Sequence, residues 1–424
     1  MEATKEEKNN IRLYPIYKMI SWDLLFYYSI IFLFLTQVKG ISAADVLLAE
    51  AFYPAFKVIL TVPLTILIAK IGKRKSLIFA NLMNAFSIFS YIIAQDFIYV
   101  LIGQFFSAIA FDIKGVAETN LLYDDLPKNE KRGAVFSKID GRGMSLYYYA
   151  DAVTSVASGF LYVVNGYIPL ILCLISCLIS TFLVSKFKET DKDKATTGHI
   201  SVKKYLRDLK VAMKYMSQSS RLTYLLVFGA LFTGSLSVFV SLRSGVLEQI
   251  GMPEQYFGVI FAVLGMVSGI AAKNQNRIHN KFRNKTLGIL AIPAIVSCIL
   301  IGFTVLLGLP YEITVVLILI LFLIQYIARG PFYTLIKRYL NNFTTSSLRG
   351  KITSAYNLVE SLLRVFIALL ASAFLRVTTA SATLLYIGCI LTIIMVLLLD
   401  KMRNKVGLKP EDYKKSDIEF LDLK

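Results

Sequence analysis

Acidic side chains interrupt apolar runs of this chain, most densely in FFSAIAFDIKGVAETNLLYDD, residues 105–125, which holds Asp112, Lys114 and Glu118. A charge at the centre of a bilayer costs about 2.5–3.5 kcal/mol on insertion scales. An isolated carboxylate in apolar surroundings is stabilised by taking up a proton. Proton transfer is therefore the chemistry that these residue types suggest, and they have to face water rather than lipid. On a helix Lys114 and Glu118 share one face and are expected to pair, whereas Asp112 points elsewhere.

Further ionisable residues lie in other apolar runs. Arg329 precedes Gly330-Pro331, which places a permanent cation beside an expected kink, where it could bind an anion or reset a protonated acid. Glu360 and Arg364 are four residues apart in the order that favours a helical ion pair, and such a pair could be functional or purely structural. The predicted ion-coupling or cavity residues are Asp23, Asp112, Lys114, Glu118, Asp151, Arg329, Glu360 and Arg364.

The composition predicts elements that could hold such residues inside a membrane. Of the 424 residues 56% are hydrophobic and 17% are charged, whereas soluble domains carry about 25% charged residues. Apolar runs of about 20 residues recur, each long enough to cross a hydrocarbon core of about 30 Å. The fold class is therefore an all-α membrane protein. We predict twelve spans, at residues 15–38, 45–69, 76–95, 98–122, 143–163, 167–185, 222–245, 254–272, 286–307, 313–335, 353–375 and 379–399.

The basic residues predict the orientation. With the N-terminus in the cytoplasm, only Lys39 and Arg376 of the 46 Lys and Arg residues fall in outward loops, as the positive-inside rule requires. The net charge of +18 thus reflects membrane topology, and a nucleic-acid partner is not needed to explain it. We expect both termini in the cytoplasm, no cleaved signal peptide, location in the cell membrane, and neither cofactor nor metal.

The chain is expected to contain two six-helix bundles. Residues 1–187 form the first bundle, 188–220 a cytoplasmic linker with an amphipathic helix, 221–402 the second bundle and 403–424 a cytoplasmic tail. Every third span lacks charged residues, which is typical of three-helix repeats whose third member faces lipid. Two pairs of similar segments in the two halves favour a duplicated unit. AKIGKRKSL is similar to HNKFRNKTL, and Arg-Gly occurs at both 132–133 and 349–350.

A basic turn after the second span, TILIAKIGKRK, resembles the signature loop Gly-x-x-x-Asp-Arg-x-Gly-Arg-Arg/Lys of the major facilitator superfamily. Thr65 replaces the first glycine of the motif and Ala69 replaces its aspartate. In the family this aspartate helps to latch the cytoplasmic side, so Asp124, Asp125 or Asp140 is expected to supply the acid. The residues of the predicted gate loop are Lys70, Gly72, Lys73, Arg74, Asp124 and Asp125.

Two other family motifs are altered. FDIKG in the fourth span aligns with the arginine motif linked to proton coupling, Arg-x-x-Gln-Gly, so that Phe111 replaces the arginine and Lys114 the glutamine. The fifth span reads TSVASG, without the proline of the drug-antiporter signature. These departures are similar to those of Gram-positive efflux branches with degenerate signature motifs. Many Lys, Ile, Asn and Tyr residues also indicate an AT-rich bacterial genome.

The resemblance and the acids together indicate a secondary active transporter that works by alternating access, a monomer that carries small molecules together with protons. We favour proton-coupled export of a small amphipathic compound. The alternative is proton- or sodium-coupled uptake of a sugar, peptide or anion, with Arg329 and Lys114 as anion ligands. An intramembrane enzyme is a distant alternative, since the chain has no Gly-x-Ser-x-Gly motif and no second acid for an aspartyl dyad. No phosphate-binding loop indicates direct use of ATP.

Overall fold

The computed structural model describes residues 4–127, 132–188, 202–218, 220–342 and 346–402, which are mostly helical with no β-strand among them. A π-helical turn, Phe34–Val38, follows α2, and a 3-10 turn, Arg283–Lys285, follows α11. The predicted all-α fold class is confirmed. The α-helices of the described residues are α1 Lys5–Ser21, α2 Ile31–Leu33, α3 Ala43–Ile71, α4 Lys73–Ile92, α5 Phe97–Asp125, α6 Arg132–Val164, α7 Tyr167–Ser185, α8 Val202–Gln218, α9 Ser220–Gln249, α10 Gln255–Lys273, α11 Gln275–Phe282, α12 Thr286–Leu306, α13 Tyr311–Asn342, α14 Ser346–Leu375 and α15 Ala380–Met402.

Nine helices in the described part of the chain are long and apolar enough to cross a membrane: α3, α5, α7, α9, α10, α12, α13, α14 and α15. The predicted spans at residues 15–38, 76–95 and 143–163 are not among them. The first of these is interrupted, because α1 ends at Ser21 and α2 begins only at Ile31. The second, α4, is rich in small polar side chains that are buried inside the protein: Ser76, Asn81, Asn84, Ser87 and Ser90.

Polar side chains fix the ends of several helices. Thr4 and Glu7 form a reciprocal capping box at the start of α1, with Glu7 N donating to Thr4 Oγ1 at 3.2 Å. Asp96 Oδ1 accepts the Ile98 amide at 2.8 Å and caps α5. Gly72 joins α3 to α4 with φ +84°, a left-handed conformation that favours glycine. The backbone conformation thus explains why Gly72 stands at the position of the second glycine of the signature turn.

By its internal contacts the chain divides into two compact units. Unit 1 comprises Met1–Val202 with Pro253–Ala262, and unit 2 comprises Lys203–Met252 with Val263–Lys424. In unit 1, α5 packs against α3 and α4, and α1 packs against α6 and α7. In unit 2, α9 packs against α14 and α15, and α12 against α13 and α15. The proposed linker and tail boundaries stay predictions, since residues 189–201 and 403–424 lie outside the described residues, as do the side chains of both Arg-Gly pairs.

The spacing of Val202, Leu206, Leu209, Met213 and Met216 predicts an apolar stripe along the linker helix α8 that lies on the inner leaflet. Met216 is buried, together with Ala212 and Tyr215, whereas Leu206 and Met213 of the stripe are exposed. The contact of this stripe with the inner leaflet stays a prediction. Lys351 of α14 forms an ion pair with Asp208 of α8, with 2.9 Å between Nζ and Oδ1. This ion pair joins α8 to α14 within unit 2.

Candidate functional site

The first predicted span is broken where its first acid occurs. The backbone leaves the helix after Ser21, and residues 22–30 have no regular helix before α2 begins at Ile31. Within this break Phe26 has φ +62°, which is uncommon for a bulky residue. Asp23 supplies a local reason, because its Oδ1 accepts the Leu24 amide at 2.8 Å and so competes with helical hydrogen bonds. The prediction of one continuous helix over residues 15–38 is wrong.

Asp23 lies in the break and is surrounded by tyrosine and lysine side chains. The Tyr28 hydroxyl donates to Asp23 Oδ1 at 2.7 Å. The cations that act on this carboxylate are Lys114 and Lys57. Tyr147 of α6 is within electrostatic range of Asp23 and also of Asp151, which lies one turn further along α6. The structure therefore brings Asp23 and Asp151 to the same part of unit 1, as a half-buried acidic region lined by aromatic rings.

Lys114 does not pair with Glu118 as the helical spacing predicts. Its Nζ donates instead to the Ser21 carbonyl oxygen at 2.6 Å, and it lies 5.4 Å from the centroid of the Phe111 ring. The last carbonyl groups of a helix have no partner within the helix and carry partial negative charge. The end of α1 therefore offers the ammonium group a hydrogen-bond acceptor, while Glu118 acts on it electrostatically from a greater distance. The predicted i,i+4 ion pair between Lys114 and Glu118 is therefore wrong. The break in the first span explains the difference, because it exposes the Ser21 carbonyl oxygen to Lys114.

Asp112 faces α3, in agreement with its different direction on the helix. Thr61 Oγ1 donates to Asp112 Oδ1 at 3.2 Å and also to the Lys57 carbonyl oxygen at 2.7 Å. The Lys57 cation acts on Asp112, as it does on Asp23, and its Nζ lies 5.7 Å from the centroid of the Tyr53 ring. Lys57 thus connects two of the predicted acids electrostatically.

Glu118 is the most deeply buried carboxylate of the predicted set. Its side chain is 1% exposed, and Lys18 Nζ lies 3.5 Å from its Oε1. This is longer than a charge-assisted hydrogen bond, for which about 2.7–2.9 Å is usual. Within the described residues neither carboxylate oxygen of Glu118 has a hydrogen-bond partner. Burial with incomplete pairing makes this group the best candidate to exchange a proton.

Lys18 is held more closely by another acid. It forms an ion pair with Asp140 of α6, and the Tyr14 hydroxyl donates to the same carboxylate oxygen at 2.8 Å. The ammonium group also lies 4.5 Å from the centroid of the Trp22 ring. Lys18 is itself 1% exposed. One buried cation therefore lies beside two carboxylates from different helices.

In unit 2 the predicted residues gather around two tyrosines. The Arg329 and Arg243 guanidinium groups lie 5.5 and 5.6 Å from the centroid of the buried Tyr326 ring. Tyr333 is within electrostatic range of Arg329, Glu360 and Arg364. The structure thus places the predicted charged residues of α13 and α14 close together. Helix α13 continues through Pro331.

The three acids considered for the gate loop have different partners. Asp124 pairs with Lys73, Asp125 accepts from Asn10 Nδ2 at 3.0 Å, and Asp140 pairs with Lys18. Arg74 Nη2 donates to the Ser185 carbonyl oxygen at 2.7 Å, and Lys70 is exposed. Lys73 and Asp124 therefore form the ion pair that joins the turn after α3 to the end of α5.

The comparison with protein families identifies the chain. The family model described as Major Facilitator Superfamily matches residues 17–368. The chain belongs to this superfamily. Because superfamily members transport solutes and the chain has several apolar helices, it is a multi-pass membrane transporter rather than an enzyme. No curated protein matches the chain closely enough to be counted as a relative.

Solved structures of other transporters share the superfamily fold. A point mutant of the nucleoside transporter NupG has a TM-score of 0.72 at 10% identity, over 93% of this chain and 99% of that one. A POT family transporter in complex with a thioalcohol-conjugated peptide gives 0.67 at 13% identity, over 95% and 96%. An inward-facing bacterial homologue of the human lysosomal transporter Spinster gives 0.64 at 12% identity, over 95% of each chain. At this identity the likeness shows the fold alone.

Lys18 is the member of the candidate site that the sequence patterns do not reveal. It lies four residues into the first predicted span, close to the cytoplasmic end, where the positive-inside rule counts it as an ordinary cytoplasmic charge. A signal was nevertheless present, because Tyr14, Lys18 and Trp22 recur every fourth residue and therefore lie on one helix face. An aromatic–cation–aromatic face at a span end indicates a buried cation whose partners come from other helices.

Proposed function

We propose that this superfamily member is a proton-coupled secondary transporter that works by alternating access and exports a small amphipathic compound. The observation that carries the proposal is Glu118, a carboxylate that is 1% exposed and whose partner Lys18 lies at 3.5 Å. Burying an anion with incomplete compensation is costly, and uptake of a proton removes most of that cost. Glu118 can therefore alternate between an ionised and a protonated form as its access to water changes.

The surroundings of Asp23 support an amphipathic substrate with a cationic group. A carboxylate beside Tyr28, with Tyr27 packed edge-on at 5.0 Å between ring centroids, offers charge attraction together with aromatic faces. Aromatic faces attract organic cations, by about 0.5–1 kcal/mol at exposed sites and about 2 kcal/mol when desolvated. We infer that Asp23 and Asp112 bind substrate, while Glu118 binds the coupling proton.

Uptake of an anionic solute is the second candidate function. Arg243 and Arg329, which both contact the Tyr326 ring, would favour a carboxylate or phosphate ligand, since guanidinium groups bind such anions through paired hydrogen bonds. The similar structures include transporters named for nucleosides and for peptides, so the fold alone does not select between the candidates. We further propose that the protein lies in the cell membrane as a monomer, with both termini in the cytoplasm.

The test is efflux of preloaded amphipathic compounds, including a tetracycline, from cells that lack their own pumps. The chain is expected to give efflux that a protonophore abolishes. Glu118→Gln should reduce efflux to the level of cells without the protein, whereas Glu6→Gln, the same exchange at an exposed position of α1, should not. Efflux that Glu118→Gln leaves intact would contradict the proposed coupling site. Absence of efflux for every compound, with uptake of candidate anions that Arg329→Ala abolishes, would favour the second function.

A further inference from the structure

Lys18 is the buried cation through which three helices of unit 1 meet. It belongs to α1, while its two acidic neighbours are Glu118 of α5 and Asp140 of α6. One ammonium group thus lies directly beside two carboxylates, and Lys114 of α5 is a second cation that acts on Glu118. When both acids are ionised, Lys18 cannot neutralise both, so that its position depends on which of them is charged.

The stem of Lys18 is closely packed, and several groups lie within reach of its ammonium group. Gly143 of α6 makes room for the stem: a Cβ at that position would lie 3.0 Å from both Cβ and Cδ of Lys18. The ammonium group also lies 3.4 Å from the Tyr14 hydroxyl, to which it donates, and 4.5 Å from the Trp22 ring centroid. Long methylene stems can carry their charge between neighbouring sites while staying packed.

We propose that Lys18 is a positioning residue that shifts between Glu118 and Asp140 according to the protonation of Glu118. The inference rests on the proposed function, in which Glu118 binds the coupling proton. When Glu118 is ionised, it shares Lys18 with Asp140. When Glu118 takes a proton from water it becomes neutral, its attraction for Lys18 weakens, and Asp140 becomes the remaining anionic partner of the ammonium group. Proton binding on α5 thereby changes how α1 is held against α6.

The location of Lys18 explains how this shift could reach the substrate region. Lys18 lies one turn before the end of α1 at Ser21, whose carbonyl oxygen accepts from Lys114 at 2.6 Å, and Asp23 follows directly in the break. A change in the hold on α1 is therefore transmitted to the end of the helix. The titratable or charged groups around this centre are Tyr14, Tyr17 and Lys18 of α1, Lys114 and Glu118 of α5, and Asp140 of α6.

The chain carries its own probe of this movement, because Trp22 is its single tryptophan. The intrinsic fluorescence of the full-length protein in lipid nanodiscs, titrated with pH and without substrate, reports the environment of the indole beside Lys18. The wild type is expected to show a pH-dependent change in Trp22 emission. Glu118→Gln, which mimics the protonated acid, should hold the emission at the wild-type low-pH position at every pH. Glu6→Gln should behave as the wild type.

Variants of Lys18 and its packing partner distinguish positioning from a merely structural role. Lys18→Gln should remove the pH-dependent change, and Lys18→Arg should retain it with a shifted midpoint. Gly143→Ala presses on the lysine stem without altering a charge, and it should shift the midpoint. Gly141→Ala is the matched control on the same helix, because a Cβ there meets no atom within 4 Å, and it should leave the titration unchanged.

The outcomes separate this inference from the proposed function. A change that Glu118→Gln abolishes but Lys18→Gln preserves would overturn the role of Lys18 and leave Glu118 as the proton site. A change that survives Glu118→Gln would overturn the inference, and the efflux assay would then decide independently whether Glu118 couples transport. If Lys18→Gln does not fold, the comparison of Gly143→Ala with Gly141→Ala decides the matter, and identical titrations for the two would contradict the inference.

Discussion

At the scale of single residues, Lys73 and Asp124 form an ion pair at the altered signature turn. The turn itself lacks the acid of the family motif. Ala69 stands where the family motif has its aspartate, but the end of α5 brings Asp124 to Lys73. The two side chains are 16% and 35% exposed, so water partly screens their attraction. We infer that the latch is retained with its acid supplied by another helix.

A charge exchange tests this assignment. Lys73→Asp combined with Asp124→Lys should recover stability that either single substitution loses, because the pair is restored in reverse. A double-mutant cycle on thermal unfolding in detergent should give a coupling energy of about 0.2–1 kcal/mol, the range for partly exposed pairs. The same exchange between Arg74 and Asp125 should recover nothing, since these residues bind Ser185 and Asn10. Recovery there, and none for Lys73 with Asp124, would contradict the assignment.

His279 of α11 should make unit 2 sensitive to acid. Burial and the nearby Arg338 and Arg283 lower the pKa of His279 from its usual 6.5, and its Nδ1 is hydrogen-bonded to the Tyr339 hydroxyl at 2.8 Å. A lowered pKa means that the unfolded chain binds more protons below pH about 6.5, so stability falls as the pH decreases through this range. Thermal unfolding should therefore lose less stability between pH 7 and 5 in His279→Gln than in the wild type. An equal loss in both would contradict this account.

The sequence allowed the candidate residues to be selected but was a poor guide to their partners. Asp23, Asp112 and Glu118 could be selected because carboxylates are costly in apolar runs, and the structure places them all in unit 1. The partners of these residues come from other helices, which the spacing within one helix does not reveal. Helical spacing therefore predicted a pair of Lys114 with Glu118, whereas Lys114 donates to the Ser21 carbonyl oxygen at the end of α1. Lys18 was hidden for a related reason: only packing against α5 and α6 buries it.

At the scale of elements, the break between α1 and α2 is the feature that organises the site. It presents the carbonyl end of α1 to Lys114 and places Asp23 in irregular backbone. Irregular backbone at membrane depth is tolerated where it is buried in protein or lines a water-filled cavity. The sequence concealed this break because residues 24–38 are almost continuously apolar, which predicts an uninterrupted span.

Phe26 tests the break directly, since its φ of +62° is a conformation in which residues other than glycine cost roughly 1–2 kcal/mol. Phe26→Gly and Phe26→Ala both remove the ring, but only glycine relieves the backbone. Phe26→Gly should therefore be more stable than Phe26→Ala by about 1 kcal/mol in thermal unfolding. In a regular helix the order is reversed, with glycine about 1 kcal/mol less stable than alanine. The reversed order would show that the helix is continuous here.

The contact of α4 with α5 gives a second prediction at this scale. A Cβ on Gly103 would lie 2.2 Å from the buried Tyr91 ring, whereas a Cβ on Gly115 of the same helix meets no atom within 4 Å. Gly103→Ala should lower the stability by about 1–3 kcal/mol through overpacking, and Gly115→Ala should leave it unchanged or slightly higher. Thermal unfolding of both variants in detergent makes the comparison. Equal effects would contradict this close packing.

At the scale of the whole molecule, the superfamily fold was predictable because it depends on apolar length and charge asymmetry, which recur along the entire chain. The family is confirmed, as are nine apolar spans among the described residues. Of the other three predicted spans, the first is interrupted by the break, and α4 and α6 are less apolar than the nine. These three all belong to unit 1, which also holds most of the predicted acids. We place the coupling chemistry in unit 1, where Glu118 of the apolar helix α5 lies beside Lys18 of α1.

The most direct test of the central claim is transport in proteoliposomes, using a compound that the cellular assay identifies. Two modes are compared for the wild type and Glu118→Gln: transport driven by a pH gradient, and exchange of labelled for unlabelled compound without a gradient. If Glu118 binds the coupling proton, the variant should lose gradient-driven transport and keep exchange, since exchange needs alternating access but no net proton movement. Gradient-driven transport at the wild-type rate in Glu118→Gln would contradict the account.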